Sequence, residues 1–139
     1  MAVYTTRVNI DTKGETDIVD ITDYIEGSVD RSGLTNGTAT VFVGGSTAGI
    51  TTIEFESGLF QDLRDAYERM APRNAYYAHN ERWGDGNGFA HVRASMTGQD
   101  ISIPFSEKKL ILGTWQQVIL VDFDNRPRRR EIIVQVIGE

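Results

Sequence analysis

The two histidines of this chain, His79 and His91, are the residues best suited to chemistry. Histidine is the commonest side chain for metal ligation and for proton transfer near neutral pH. The pair stands twelve residues apart, which matches no local motif such as two ligands on one face of a helix. Taken alone, it reads more readily as one surface histidine and one hydrogen-bonded core histidine. The stretch around the pair shifts that balance. Asp85 and Asn87 carry oxygens able to ligate a metal or to orient an imidazole. Arg93 follows His91 by two residues and can hold an anion through two guanidinium nitrogens at once. Glycines at 84, 86 and 88 let the backbone come close to a ligand, or simply make turns. The set predicts a functional segment in which His79 and His91 are metal ligands or acid/base groups, Asp85 and Asn87 support them, and Arg93 points into the same pocket.

Three other groupings are weaker. Gly44-Gly45-Ser46-Thr47 has the small residues and free hydroxyls of an anion-binding nest, with Ser46 and Thr47 as candidate phosphate contacts. It is not a Walker loop, because no Gly-Lys-Ser/Thr follows, and alone it reads more simply as a turn. Glu54 and Glu56 share one face of a β-rich run, which suits acid/base or substrate-binding work as well as solvated edge charges. Arg126, Arg128, Arg129 and Arg130 are the only basic cluster; they could form a phosphate or carboxylate site, but read more simply as a solvated turn paired with acidic surface.

Flanking elements must position these residues. Residues 3–10 and 17–21 have the alternation of a strand pair or hairpin joined by Thr-Lys-Gly-Glu. Thr22 or Asp23 can cap a short helix ending near Gly33. Strands are predicted at 38–43 and 49–55, and a helix begins at Ser57 and is stopped by Pro72. Residues 73–90 read as a long aromatic, glycine-rich loop pinned by Tyr77 and Trp83. A helix at 89–96 stops at Gly98, and strands follow at 100–105, 109–112, 115–123 and 131–137. The runs 117–121 and 132–137 are apolar on nearly every residue, which predicts cover on both sheet faces, one by a helix and the other by a neighbouring subunit.

The 139 residues fit one domain, 1–139, large enough to fold without disulfide or structural metal. The formal charge of −6 argues against a nucleic-acid partner. The lack of cysteine excludes thiol catalysis and fits a cytoplasmic protein. No stretch has the apolar length of a signal core or membrane span, so no membrane partner is expected.

Five ordered motifs are specific: Ser-Thr-Ala-Gly-Ile-Thr-Thr-Ile-Glu (46–54), Tyr-Ala-His-Asn (77–80), Gly-Asp-Gly-Asn-Gly-Phe-Ala-His-Val-Arg-Ala-Ser (84–95), Leu-Gly-Thr-Trp-Gln (112–116), and the terminal Arg-Arg-Glu with Ile-Gly-Glu. Through them the chain resembles the YjbQ family, also called the secondary thiamine-phosphate synthase family, from about residue 4 to the terminal Gly-Glu. The resemblance implies an α+β fold, a compact antiparallel β-sandwich with a few helices, assembled as a homotrimer. It implies a transferase activity that joins a thiazole phosphate to a pyrimidine pyrophosphate with loss of pyrophosphate. It also implies a site of three histidines, of which the last two map onto His79 and His91. The first does not map: Gly45 stands there, followed by Ser-Thr-Ala, as in a separate branch. A divalent metal, zinc or magnesium, would need Asp85, Asn87, Glu54 or water to complete its shell. The leading expectation is an enzyme-like site for a small phosphorylated substrate, with Ser46, Thr47, Arg93 and Glu54 binding it. The rivals are a trimer that captures a metal or small anion without turnover, and a structural trimer with a vestigial site.

Overall fold

The computed structural model describes residues 1–139 as β1 (Ala2–Thr12), β2 (Asp17–Asp20), α1 (Thr22–Ser32), β3 (Gly37–Val43), β4 (Ala48–Glu54), α2 (Ser57–Met70), α3 (Ala78–Trp83), α4 (Gly88–Thr97), β5 (Asp100–Ser106), β6 (Lys109–Leu110), β7 (Gln116–Asp122) and β8 (Arg128–Gly138). The strands form two antiparallel sheets, one ordered β1-β8-β3-β5-β6 and the other β2-β7-β4. This is the α+β class expected. None of the helices is long and apolar enough to cross a membrane.

The main core lies between the sheets. Val41, Val43, Ile132, Val134 and Val136 from the larger sheet meet Ile50, Val118 and Leu120 from the smaller one, and α1 adds Ile25 and Val29. Period-two geometry sends the intervening residues of β7 to the opposite face. There Ile119 and Val121 pack with Phe123, Tyr67 of α2, and Phe89, Ala90 and Ala94 of α4. Both faces of β7 are thus covered by the chain's own elements. Its apolar run reports a second internal layer and not a neighbouring subunit.

Two further expectations are corrected. Residues 3–10 and 17–21 do not form a hairpin: β1 pairs with β8 and β2 with β7, in different sheets. The linking Glu15 and Thr16 take positive φ angles of 54° and 66°, a strained state for these side chains, to carry the chain between sheets. The cap of α1 is also different. Asp20 accepts bonds from the Thr22 N–H and hydroxyl, at 2.9 and 2.7 Å, so an acceptor before Thr22 does the capping.

Candidate functional site

The segment 73–90 is more ordered than a loop, because it contains α3 and the start of α4. These short helices approach closely at Gly88. A Cβ there would stand 2.4 Å from Tyr77 Cβ, a clash that only glycine avoids. The Gly88 N–H donates to Asn80 Oδ1 at 2.9 Å and fastens the two helices together. Tyr77 contributes as expected, packing on the outer core and donating its hydroxyl to Pro72 O at 2.6 Å. Trp83 does not pin the segment, since it is 69% exposed.

This packing brings the histidines together. The rings of His79, on α3, and His91, on the first turn of α4, have centroids 4.4 Å apart. Asp85, in the turn between the helices, lies 3.1 Å from His79 Nε2 through its Oδ2. An ionised carboxylate only accepts, so that bond puts the His79 proton on Nε2. The Asn87 N–H and then the His79 hydrogen bond hold the Asp85 carboxyl below its ordinary value, against the upward push of burial. One ligand atom from each of His79, Asp85 and His91 lies within 4.8 Å of the others. All three remain open to solvent, at least in part.

The donor set fits a divalent ion. Two imidazoles and a carboxylate form a three-ligand set that leaves a coordination position for water or substrate, as catalytic zinc sites do. Imidazole ligands favour zinc over magnesium, which prefers oxygen. Zinc holds such ligands at about 2.0–2.2 Å, so His79, Asp85 and His91 would have to draw together to hold one.

A family model described as UPF0047 protein YjbQ-like matches residues 6–139. The chain belongs to the YjbQ-like UPF0047 family. A UPF0047 protein of Methanothermobacter thermautotrophicus is 35% identical over 139 residues, covering all of this chain and 95% of that one. The UPF0047 protein YugU of Bacillus subtilis is 29% identical, over 94% of this chain and 97% of its own. The crystal structure of a YbjQ-like protein of unknown function from Sulfolobus solfataricus superposes with a TM-score of 0.94 at 36% identity, covering 99% of both chains.

The other residues picked out within this YjbQ-like chain divide into those near the trio and those that lie elsewhere. Asn87 is near but serves the scaffold. Its side-chain amide donates to Asp124 Oδ1 at 3.3 Å, its Oδ1 accepts from Asn125 N at 3.0 Å, and its backbone N–H holds Asp85 Oδ1 at 3.1 Å. Asn125 completes the clasp by donating its side-chain amide to Asp85 O at 2.8 Å. Thr47 is buried, bonded to Asp124 Oδ2 at 2.9 Å and to Arg130 Nη2 at 2.6 Å, while Ser46 is exposed beside it.

Arg93 is not in the pocket. Two residues along a helix turn a side chain by about 200°, so His91 and Arg93 face opposite ways. Arg93 donates to Ala71 O, Thr16 Oγ1 and Glu68 Oε2 at 3.0, 3.1 and 2.7 Å, and its guanidinium lies over Phe89. Its role is to tie the strained Thr16 turn to α2 and to the residue that follows it. Glu54 is also remote. It pairs with Gln116 at the far end of β4, while Ala48 pairs with Asp122, and six residues of strand span about 20 Å. Glu56 caps α2 by accepting from Gly58 N and Leu59 N.

Sequence reasoning missed Asp122 and Asp124 and favoured a solvated turn for Arg130. The fold buries all three together, and Arg130 binds Asp122 through Nε and Nη2 at 2.7 and 2.9 Å. The solvated-turn reading of residues 126–130 is therefore wrong for Arg130. The missed signal was period two: Arg128 and Arg130 share a strand face, and Asp122 and Asp124 end a run that is apolar on both faces.

Proposed function

We propose that the His79–Asp85–His91 trio is the reacting end of an enzyme site that transfers a small phosphorylated substrate, with thiamine-phosphate synthase-like chemistry as its specific form. The convergence of the three side chains from α3, the following turn and α4 carries this reading. The family resemblance supplies the reaction class. A divalent ion on the trio would neutralise charge on phosphate oxygens. Without an ion, the residues' own part is to accept or deliver a proton at an imidazole nitrogen, with Asp85 fixing the tautomer of His79.

The test is turnover of a thiazole phosphate with a pyrimidine pyrophosphate, with release of pyrophosphate as the readout. His91→Ala should lower the rate about 10²–10⁴-fold, the range for losing a positioned acid/base group, while the fold stays intact. Saturable zinc stabilisation without product would instead support a binding protein. Neither zinc stabilisation nor product would mean a vestigial site.

We propose further that the chain works as a homotrimer. Support comes from apolar surface left open within the protomer. A cleft of about 600 Å³ between β4 and α2 is lined by Ile53, Leu59, Leu63, Met70 and Met96, and Trp115 and Ile111 are 72% and 59% exposed. Light scattering at micromolar protein should give three times 15.5 kDa. A monomer mass would refute the assembly.

A further inference from the structure

The Asn87–Asp124 bridge that steadies Asp85 leads on to a second polar surface. Asp124 is bonded to Thr47, and Thr47 to Arg130. We propose that the Gly44–Thr47 turn, with the Arg130 guanidinium beneath it, is the seat of the substrate's phosphate group. The proposal rests on the reading of the His79–Asp85–His91 trio as the reacting end of the same site.

Arg130 is 8% exposed, and its plane is fixed by two bonds to the fully buried Asp122 and one to Thr47. Asp122 is itself steadied by the Thr12 hydroxyl at 2.6 Å. Those bonds use Nε and Nη2. Nη1 takes part in none of them and points at Gly45, where a Cβ would stand 2.9 Å away. Gly45 has φ +129°, a conformation open to glycine and costly for other residues. A side chain at 45 would therefore both strain the turn and cover the guanidinium.

The backbone of the turn adds donors. Val43 N donates to Gln99 O before it, and Phe123 N donates to Thr47 O after it. The four N–H groups of Gly44, Gly45, Ser46 and Thr47 between them have no acceptor in the protein. Successive free N–H groups in a turn beside a fixed cation make an anion-binding concavity. A fixed guanidinium nitrogen, several amides and the exposed Ser46 hydroxyl suit the multiple oxygens of a phosphate better than the two of a carboxylate.

Inorganic phosphate is the probe. Titrated into ¹⁵N-labelled protein, it should shift the amide signals of residues 44–47 saturably, and acetate should not. Calorimetry should show Gly45→Ala binding phosphate at least tenfold more weakly than the wild type, with its fold checked by a thermal melt. His91→Ala should lose zinc binding but keep phosphate binding. Absence of saturable shifts at 44–47, or equal phosphate affinity in Gly45→Ala, overturns the proposal. Loss of phosphate binding in His91→Ala places the anion on the histidines and overturns it as well. Intact phosphate shifts without zinc binding overturn only the metal reading of the trio.

Discussion

Arg93 and Arg130 are the two arginines that the fold takes almost entirely out of water, at 5% and 8% exposure, and they end in opposite roles. All three guanidinium nitrogens of Arg93 have protein acceptors, and it packs, as Arg73 does, against the ring of Phe89. The two N–H groups left over sit one each on Nη1 and Nη2, nitrogens that the protein already holds. Arg130 commits two nitrogens and aims the third at a glycine turn. Burial of a cation is thus a poor sign of function by itself. What separates a strut from a binding group is whether one whole nitrogen, with both its N–H groups, stays outside the protein's own bonds, as Nη1 of Arg130 does.

The partners differ as well, and that sets the largest expected effect. Asp122 is fully buried, whereas the side chain of Glu68, opposite Arg93, is 55% exposed. Asp122→Ala strands the Arg130 charge in the interior and should cost about 3–5 kcal/mol in urea denaturation, as broken buried pairs do. Arg93→Met leaves Glu68 free to rehydrate and keeps an apolar side chain over Phe89. It should cost only about 2 kcal/mol, while phosphate and zinc affinities stay at wild-type values. If Arg93→Met weakens phosphate binding tenfold with its stability intact, the division of roles between the two arginines fails.

The difference between the arginines also shows what could be read from the chain. The histidine cluster was legible because its residues lie within thirteen positions, and the glycine that lets two helices touch lies among them. Strand positions followed from alternation, and the α+β class from the family resemblance. Arg93 was misplaced because proximity in sequence was taken for proximity in space, although a helix turns adjacent-but-one residues apart. The Arg130 cluster joins positions 12, 47, 87, 122, 124 and 130, and no local pattern encodes pairings over such separations. The sheet assignment of β1 and β2 escaped for the same reason: each is completed by a strand about a hundred residues later.

Acidity offers the finest test of the Arg130 side. Burial pushes the Asp124 carboxyl up, but hydrogen bonds from Thr47, Arg128 and Asn87, with the charge of Arg128, outweigh it and hold the group below its ordinary value of 3.8. A carboxyl depressed in the fold binds its proton less tightly there than in the unfolded chain. The stability it lends is therefore fully present above about pH 5 and is lost as pH falls through the folded value, below 3.8. Asp124→Asn has no such proton to bind. Its stability deficit against the wild type should be widest at neutral pH and should narrow as the solution is acidified below pH 4. Urea melts of the two proteins across that range measure the gap. A constant deficit would mean that Asp124 is not held ionised by Thr47, Arg128 and Asn87, and the bridge from the histidines to the Arg130 turn would lose its charged middle.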